Sequence, residues 1–216
     1  MIEAAIFDVD GVLVDSYAAH FESWKRLGKE TGVTLTEEQF AESFGRRSRE
    51  VIRKHWGALP DAEVARLDRR KEGLFREILE EHFPGMDGAA DLIHGLAKEG
   101  FRIAVGSSAP KENVDLVLDR LNVRDRIHAV VTGEDVQRGK PHPQVFLVAA
   151  ERLRVAPDRC VVIEDAVPGI EAARSAGMKS VALVSTGRDA ATLRAAEPDR
   201  VVRSLRELSP AALRGL

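Results

Sequence analysis

Short apolar runs that stop at polar residues punctuate this chain. Glu3-Ala-Ala-Ile-Phe ends at Asp8-Val-Asp-Gly, and Phe101 to Val105 ends at Gly106-Ser107-Ser108. Ala129 to Thr132 ends at Gly133-Glu134-Asp135, Cys160 to Ile163 at Glu164-Asp165, and Ser180 to Val184 at Ser185-Thr186-Gly187. Runs of this length read as buried strands opening into loops. Arg200 to Val202 is a weaker sixth. Between them lie helical patterns: Gly88 to Glu99 closed by Gly100, Lys111 to Leu121, Pro143 to Leu153, and Pro168 to Ala176 closed by Gly177. A glycine just past a helix takes the left-handed conformation without steric cost. Alternating strands and helices predict an α/β fold, a parallel sheet covered by helices on both faces. Ligands of such sheets sit at the carboxyl ends of the strands, where the polar residues above all fall.

Residues 16–87 break the rhythm, with no convincing buried strand. The pattern predicts helices over Ala18–Lys29, Glu37–Phe44, Arg49–Trp56 and Asp61–Glu81. Thr36 followed by Gln39 has the form of a capping box, Pro60-Asp61 a helix start, and Phe83-Pro84-Gly85 a stop. The reading is a helical insert, 16–87, in an α/β domain made of 1–15 and 88–216. From about Leu205 the tail reads as a short helix pair.

Composition narrows the function classes. The 216 residues are 44% hydrophobic and 31% charged, enough for a packed core. A net charge of −3 creates no strong field toward nucleic acid or anionic lipid. The one cysteine, Cys160, excludes an intramolecular disulfide and fits a reducing, cytoplasmic setting. No apolar run approaches the roughly 18 residues of a membrane span, and Asp8 and Asp10 stand where a secretory signal would be apolar.

Four polar clusters could carry chemistry. Asp8 and Asp10 stand two apart at a strand end; carboxylates so close repel each other unless a cation intervenes. One could attack phosphorus while the other moves a proton. They could equally cap a turn, but a calcium loop is excluded because Gly11 stands fourth, not sixth, in the run. Ser107 and Ser108 precede a helix and could hold an anion or simply cap it. Lys140, followed by Pro141 and Pro143 in Arg-Gly-Lys-Pro-His-Pro, could hold a fixed charge or be solvated. Glu164 and Asp165 could complete a metal site or cap the next helix. Taken together, the clusters supply a nucleophile, an acid–base, anion ligands, a cation and metal-binding carboxylates along one sheet edge.

The motif Asp8-Val-Asp-Gly-Val-Leu-Val-Asp-Ser resembles the first motif of the haloacid dehalogenase superfamily. Ser107 matches its second motif and Lys140-Pro141 its third. Glu164-Asp165, with Ala166-Val-Pro-Gly-Ile-Glu-Ala-Ala, matches its fourth. The resemblance spans essentially the whole chain and implies a Rossmann-like sheet with an inserted four-helix cap. Asp10 points to the phosphatase and phosphomutase branch, since the dehalogenase branch lacks that acid. By resemblance, Asp8 is the nucleophile and Asp10 the acid–base. Asp8, the Asp10 carbonyl and Asp165 hold Mg2+, with Glu164 beside or among the ligands, and Ser107 and Lys140 hold phosphoryl oxygens. The nearest subgroup is similar to β-phosphoglucomutase-like enzymes and sugar-phosphate phosphatases. There, positions matching His20 and Trp24 (one helical turn apart, so on one face) lie near hinge and substrate. Arg49 resembles an arginine gripping a second phosphate, with Arg46 and Arg47 as alternatives, and Lys71 a lysine near the sugar. Ala109-Pro110 departs from a more polar stretch in that subgroup. The resemblance implies a monomeric enzyme acting on a small phosphorylated metabolite, with no nucleic-acid or membrane partner. A phosphatase, a phosphomutase and a non-catalytic binding module are the three readings, in that order.

Overall fold

The computed structural model describes residues 1–44 and 46–216. The chain forms two compact units, Met1–Asp15 with Gly85–Leu216, and Ser16–Pro84.

In chain order the elements are β1 (Ala4–Phe7), α1 (Tyr17–Thr31), α2 (Glu37–Ser43), α3 (Ser48–His55) and α4 (Asp61–Glu81). They continue with α5 (Ala89–Lys98), β2 (Arg102–Gly106), α6 (Lys111–Arg120), β3 (Ala129–Val131) and α7 (Gln144–Leu153). The remainder are β4 (Cys160–Glu164), α8 (Val167–Ser175), β5 (Lys179–Leu183), α9 (Ala190–Ala195), β6 (Arg200–Val202) and α10 (Pro210–Arg214).

The larger unit is a parallel six-stranded sheet of order β3-β2-β1-β4-β5-β6. All four β1 residues are buried, as expected of a strand covered on both faces. Burying Ile6 or Phe7 is worth about 1.5–3 kcal/mol each. Ala4, Ile6, Ala104, Val131, Phe146, Cys160 and Val162 belong to one core cluster. Strand numbering reverses direction at β1, so the crevice beyond the ends of β1 and β4 is the switch point where such sheets bind ligands. Register brings the chemistry there: Phe7 pairs with Val105 on one side and Ile163 on the other. Asp8, Gly106 and Glu164 are therefore neighbours in adjacent strands.

The smaller unit is helical, holding α1 to α4 among its described residues. Trp24, Leu27, Phe40, Ile52, Leu67 and Leu74 belong to its core, the inward stripe of amphipathic helices. The Thr36–Gln39 capping box forms in both directions. This unit ends at Pro84, three residues short of the expected boundary at residue 87. Gly85 bridges Val14, the Met86 N–H donates to the Leu13 carbonyl at 3.0 Å, and Asp87 pairs with Arg206 at 2.7 Å. These bonds tie Gly85–Asp87 to the sheet-bearing unit. The sequence pattern missed α9, a six-residue helix too short for periodicity to show. It placed β1 to β5 one residue off at one or both ends.

Candidate active site

β1 delivers Asp8 to the switch point, fixed by a hydrogen bond from its N–H to the Ile163 carbonyl at 3.0 Å. The chain then curls: Leu13 N–H donates to the Val9 carbonyl and Gly11 N–H to the Val14 carbonyl, both at 2.8 Å. The strand therefore gives way to a turn just beyond Asp8. Gly11 has φ +75°, and a Cβ there would lie 2.1 Å from Asp165 Oδ2. Only glycine permits both the conformation and the approach of the fourth motif.

β4 ends at Glu164, whose Oε2 accepts from the N–H groups of Asp165 and Ala166, each at 2.7 Å. A Cβ on Gly169, in the first turn of α8, would fall 1.9 Å from Glu164 Oε1. The helix thus packs directly against that carboxylate. Lys140 arrives from the loop before α7. Its Nζ donates to Asp8 Oδ1 at 2.7 Å and to Glu164 Oε1 at 2.6 Å. These three side chains are only 9%, 9% and 2% exposed, for Lys140, Asp8 and Glu164 respectively. Asp165 is also buried; its Oδ2 accepts from Ser185 Oγ at 2.7 Å and Arg188 Nε at 3.0 Å.

The electrostatics follow from burial. Desolvation pushes Asp8 up to about 8, against the pull of Lys140 and with help from Glu164 and Asp10. Asp165 rises to about 6, again chiefly by burial, opposed by Arg188. Burial alone would lower Lys140, but the Asp8 and Glu164 carboxylates outweigh it and hold the ammonium above its ordinary range. These directions compete, because Lys140 gains from Asp8 only while Asp8 is ionised. The ammonium is the firmer of the two, since it rests on two carboxylates at once.

Oxygens of Asp8, Glu164 and Asp165 lie within 4.8 Å of one another, and all three residues are buried. Acids crowded in this way, with two pushed toward neutrality, suit a hard divalent cation with oxygen ligands. Asp10 raises Asp8 electrostatically but is not in that carboxylate group. Ser107 is buried at the end of β2, and its Oγ accepts from the Ala109 N–H at 3.1 Å. Ser108 is exposed.

In the helical unit, Lys71 is 2% exposed. Its Nζ contacts His20 Nδ1 at 2.7 Å and Glu72 Oε1 at 3.0 Å, and lies 5.3 Å from the Trp24 ring centroid. His20 stacks on Phe75 at 3.9 Å. Three of the four expected residues thus share one buried cluster. Arg49 is exposed and pairs with Asp68 at 2.8 Å; Arg46 and Arg47 are also exposed. Sequence reading missed Ser185 and Arg188. Ser185 carried the signal of a polar strand end, whereas Arg188 carried none. A surface hollow of about 370 Å³, lined by Arg174, Lys179, Glu197 and Asp199 among others, lies at the opposite end of β5, and these four side chains pair with one another along its wall.

A parallel sheet of this order, with buried acids and a lysine at its switch point, defines a class of phosphate-handling α/β enzymes. The haloacid dehalogenase-like hydrolase family profile matches residues 2–177, and the chain belongs to that family. It is 32% identical over 185 residues to a phosphorylated carbohydrates phosphatase of Thermotoga maritima, covering 83% of this chain and 84% of the relative. It is 34% identical over 188 residues to a β-phosphoglucomutase of Bacillus subtilis, covering 83% and 82%. The crystal structure of CbbY from Rhodobacter sphaeroides in complex with phosphate superposes with a TM-score of 0.90 at 27% identity, covering both chains completely. No helix among the described residues is long and apolar enough to cross a membrane.

Proposed function

We propose that the chain is a Mg2+-dependent phosphomonoester hydrolase acting on a small phosphorylated metabolite, a sugar phosphate, through an aspartyl phosphate on Asp8. The observation that carries this reading is Lys140 bridging Asp8 and Glu164 beside Asp165, all buried at the switch point. An Asp8 oxygen attacks phosphorus while the bond to the leaving oxygen breaks. Asp10 gives that oxygen its proton and then takes one from the attacking water, so that inorganic phosphate leaves and Asp8 is restored. Asp8, Glu164, Asp165 and the Asp10 carbonyl would hold Mg2+, which neutralises charge on the transferring phosphoryl group. Lys140 adds a fixed positive charge beside Asp8, and Ser107 and Ser108 bind phosphoryl oxygens.

In this reading residues 16–84 form the cap. His20, Trp24 and Lys71 shape its substrate face, and Arg49 grips a distal anionic group. Supporting observations are the relatives that act on phosphorylated carbohydrates and the acid at Asp10. The β-phosphoglucomutase relative favours a second reading, in which a sugar hydroxyl and not water accepts the phosphoryl group. Both use the same residues and differ in what reaches the phosphorylated Asp8.

The test is a phosphate-release screen over sugar phosphates with Mg2+. It runs beside a coupled assay converting β-glucose 1-phosphate to glucose 6-phosphate with a bisphosphate primer. Release in the screen supports the hydrolase; isomerisation without release selects the mutase. Asp8→Asn should lower either activity by about three orders of magnitude or more with the fold retained. A variant that still turns over would refute Asp8 as nucleophile.

A further inference from the structure

The carboxylate cluster has a second cation that the four motifs do not contain. Lys140 contacts Asp8 and Glu164, whereas the charge facing Asp165 is Arg188, from the loop after β5. Arg188 Nε lies 3.0 Å from Asp165 Oδ2, with the two side chains 18% and 3% exposed. Ser185 Oγ donates to the same oxygen at 2.7 Å. Asp165 is therefore held by one neutral donor and one charged donor.

We infer that Arg188 is a tethered counter-ion of Asp165 that weakens divalent-cation binding at the carboxylate cluster, an inference that rests on the metal site proposed above. The argument is one of charge. With the three acids ionised, as ligation of a cation requires, Lys140 alone leaves two negative charges, a match for a divalent cation; Arg188 removes one of them. The guanidinium sits on an oxygen of a carboxylate that would hold the cation, so the two positive charges would share one ligand. At this burial their repulsion is poorly screened by water. Arg188 also orients Asp165, but Ser185 holds the same oxygen and keeps doing so without it. Loss of Arg188 therefore removes the repulsion and leaves the aim of the ligand intact.

The test is Mg2+ titration calorimetry on the full chain, with melting curves in chelator and in Mg2+. Arg188→Gln should bind Mg2+ about tenfold more tightly than wild type. Its metal-free form should melt lower and gain more from Mg2+. Arg188→Lys keeps the charge and should bind within about twofold of wild type. Equal or weaker binding by Arg188→Gln, or Arg188→Lys binding as tightly as Arg188→Gln, overturns the inference. Ser185→Ala gives an arm that does not depend on the fold of Arg188→Gln. It keeps the charge and loses only a neutral donor, while Arg188 still holds the oxygen, so Mg2+ should bind within about twofold of wild type; tightening equal to that of Arg188→Gln overturns the inference. Absence of Mg2+ binding by the wild-type chain is a separate result, which removes the metal site itself and this inference with it.

Discussion

Lys140→Met removes one charge while keeping side-chain length. The ammonium it deletes lies 2.7 Å from Asp8 and 2.6 Å from Glu164, with both carboxylates at or below 9% exposure. Removing one partner from a buried ion pair costs about 3–5 kcal/mol, because the remaining charge loses its compensation. In a chain of this size that is a fall in melting temperature of about 6–20 °C. Below about pH 8 the wild-type pair already holds one proton, because Asp8 sits near 8; the native variant relieves the strain by binding one more, while Lys140 itself stays protonated in both states of the wild type and adds no pH dependence. The deficit therefore shrinks as pH falls, by up to about 1.4 kcal/mol per pH unit for one extra proton. Urea unfolding in chelator at about pH 7, 6 and 5 reads both quantities. A deficit below about 1 kcal/mol at pH 7, or one identical at all three pH values, would refute the claim that Lys140 compensates two buried acids.

Other expectations rest on the same cluster. Asp8 and Asp165 have folded values near 8 and 6, above the ordinary 3.8. The folded chain therefore keeps these protons to higher pH than the unfolded chain. Stability of the metal-free protein should fall as pH rises from about 4 through 8, and saturating Mg2+ should flatten that slope. Melting curves with Mg2+ and with chelator decide it, and a metal-free profile that climbs toward pH 8 contradicts the assignment. Gly11→Ala puts a Cβ 2.1 Å from Asp165 Oδ2 at φ +75°. It should cost about 1–3 kcal/mol and weaken Mg2+ binding, read by urea unfolding and calorimetry. Wild-type affinity in that variant would mean the loop does not pack on Asp165.

Much of the fold was legible because its strands are covered on both faces. Full burial makes Ala4–Phe7 and Cys160–Ile163 read as unbroken apolar runs, and the acids after them mark the strand ends. The helical stretch was equally legible, since α4 keeps one amphipathic period over 21 residues. One short element was not: α9 has six residues, too few to display a helical period. The boundary at Pro84 also escaped, because it depends on Gly85 and Asp87 meeting Val14 and Arg206, residues far away in sequence.

The candidate site divides in the same way. Residue types at strand ends are a local property, so Asp8, Glu164, Asp165 and Ser107 stand out along the chain itself. Lys140 is marked only by the two prolines that follow it, and nothing local says that its ammonium rests on two carboxylates. Arg188 is one arginine in a polar stretch until β5 stands beside β4 and carries its loop onto Asp165. The chain alone determined the alternation of buried strands and helices, because burial imposes periodicity on neighbouring residues. Only the tertiary structure decided which charges meet. Compensation between buried ions is set by distance in space, and the register of parallel strands, which no single strand encodes, sets that distance.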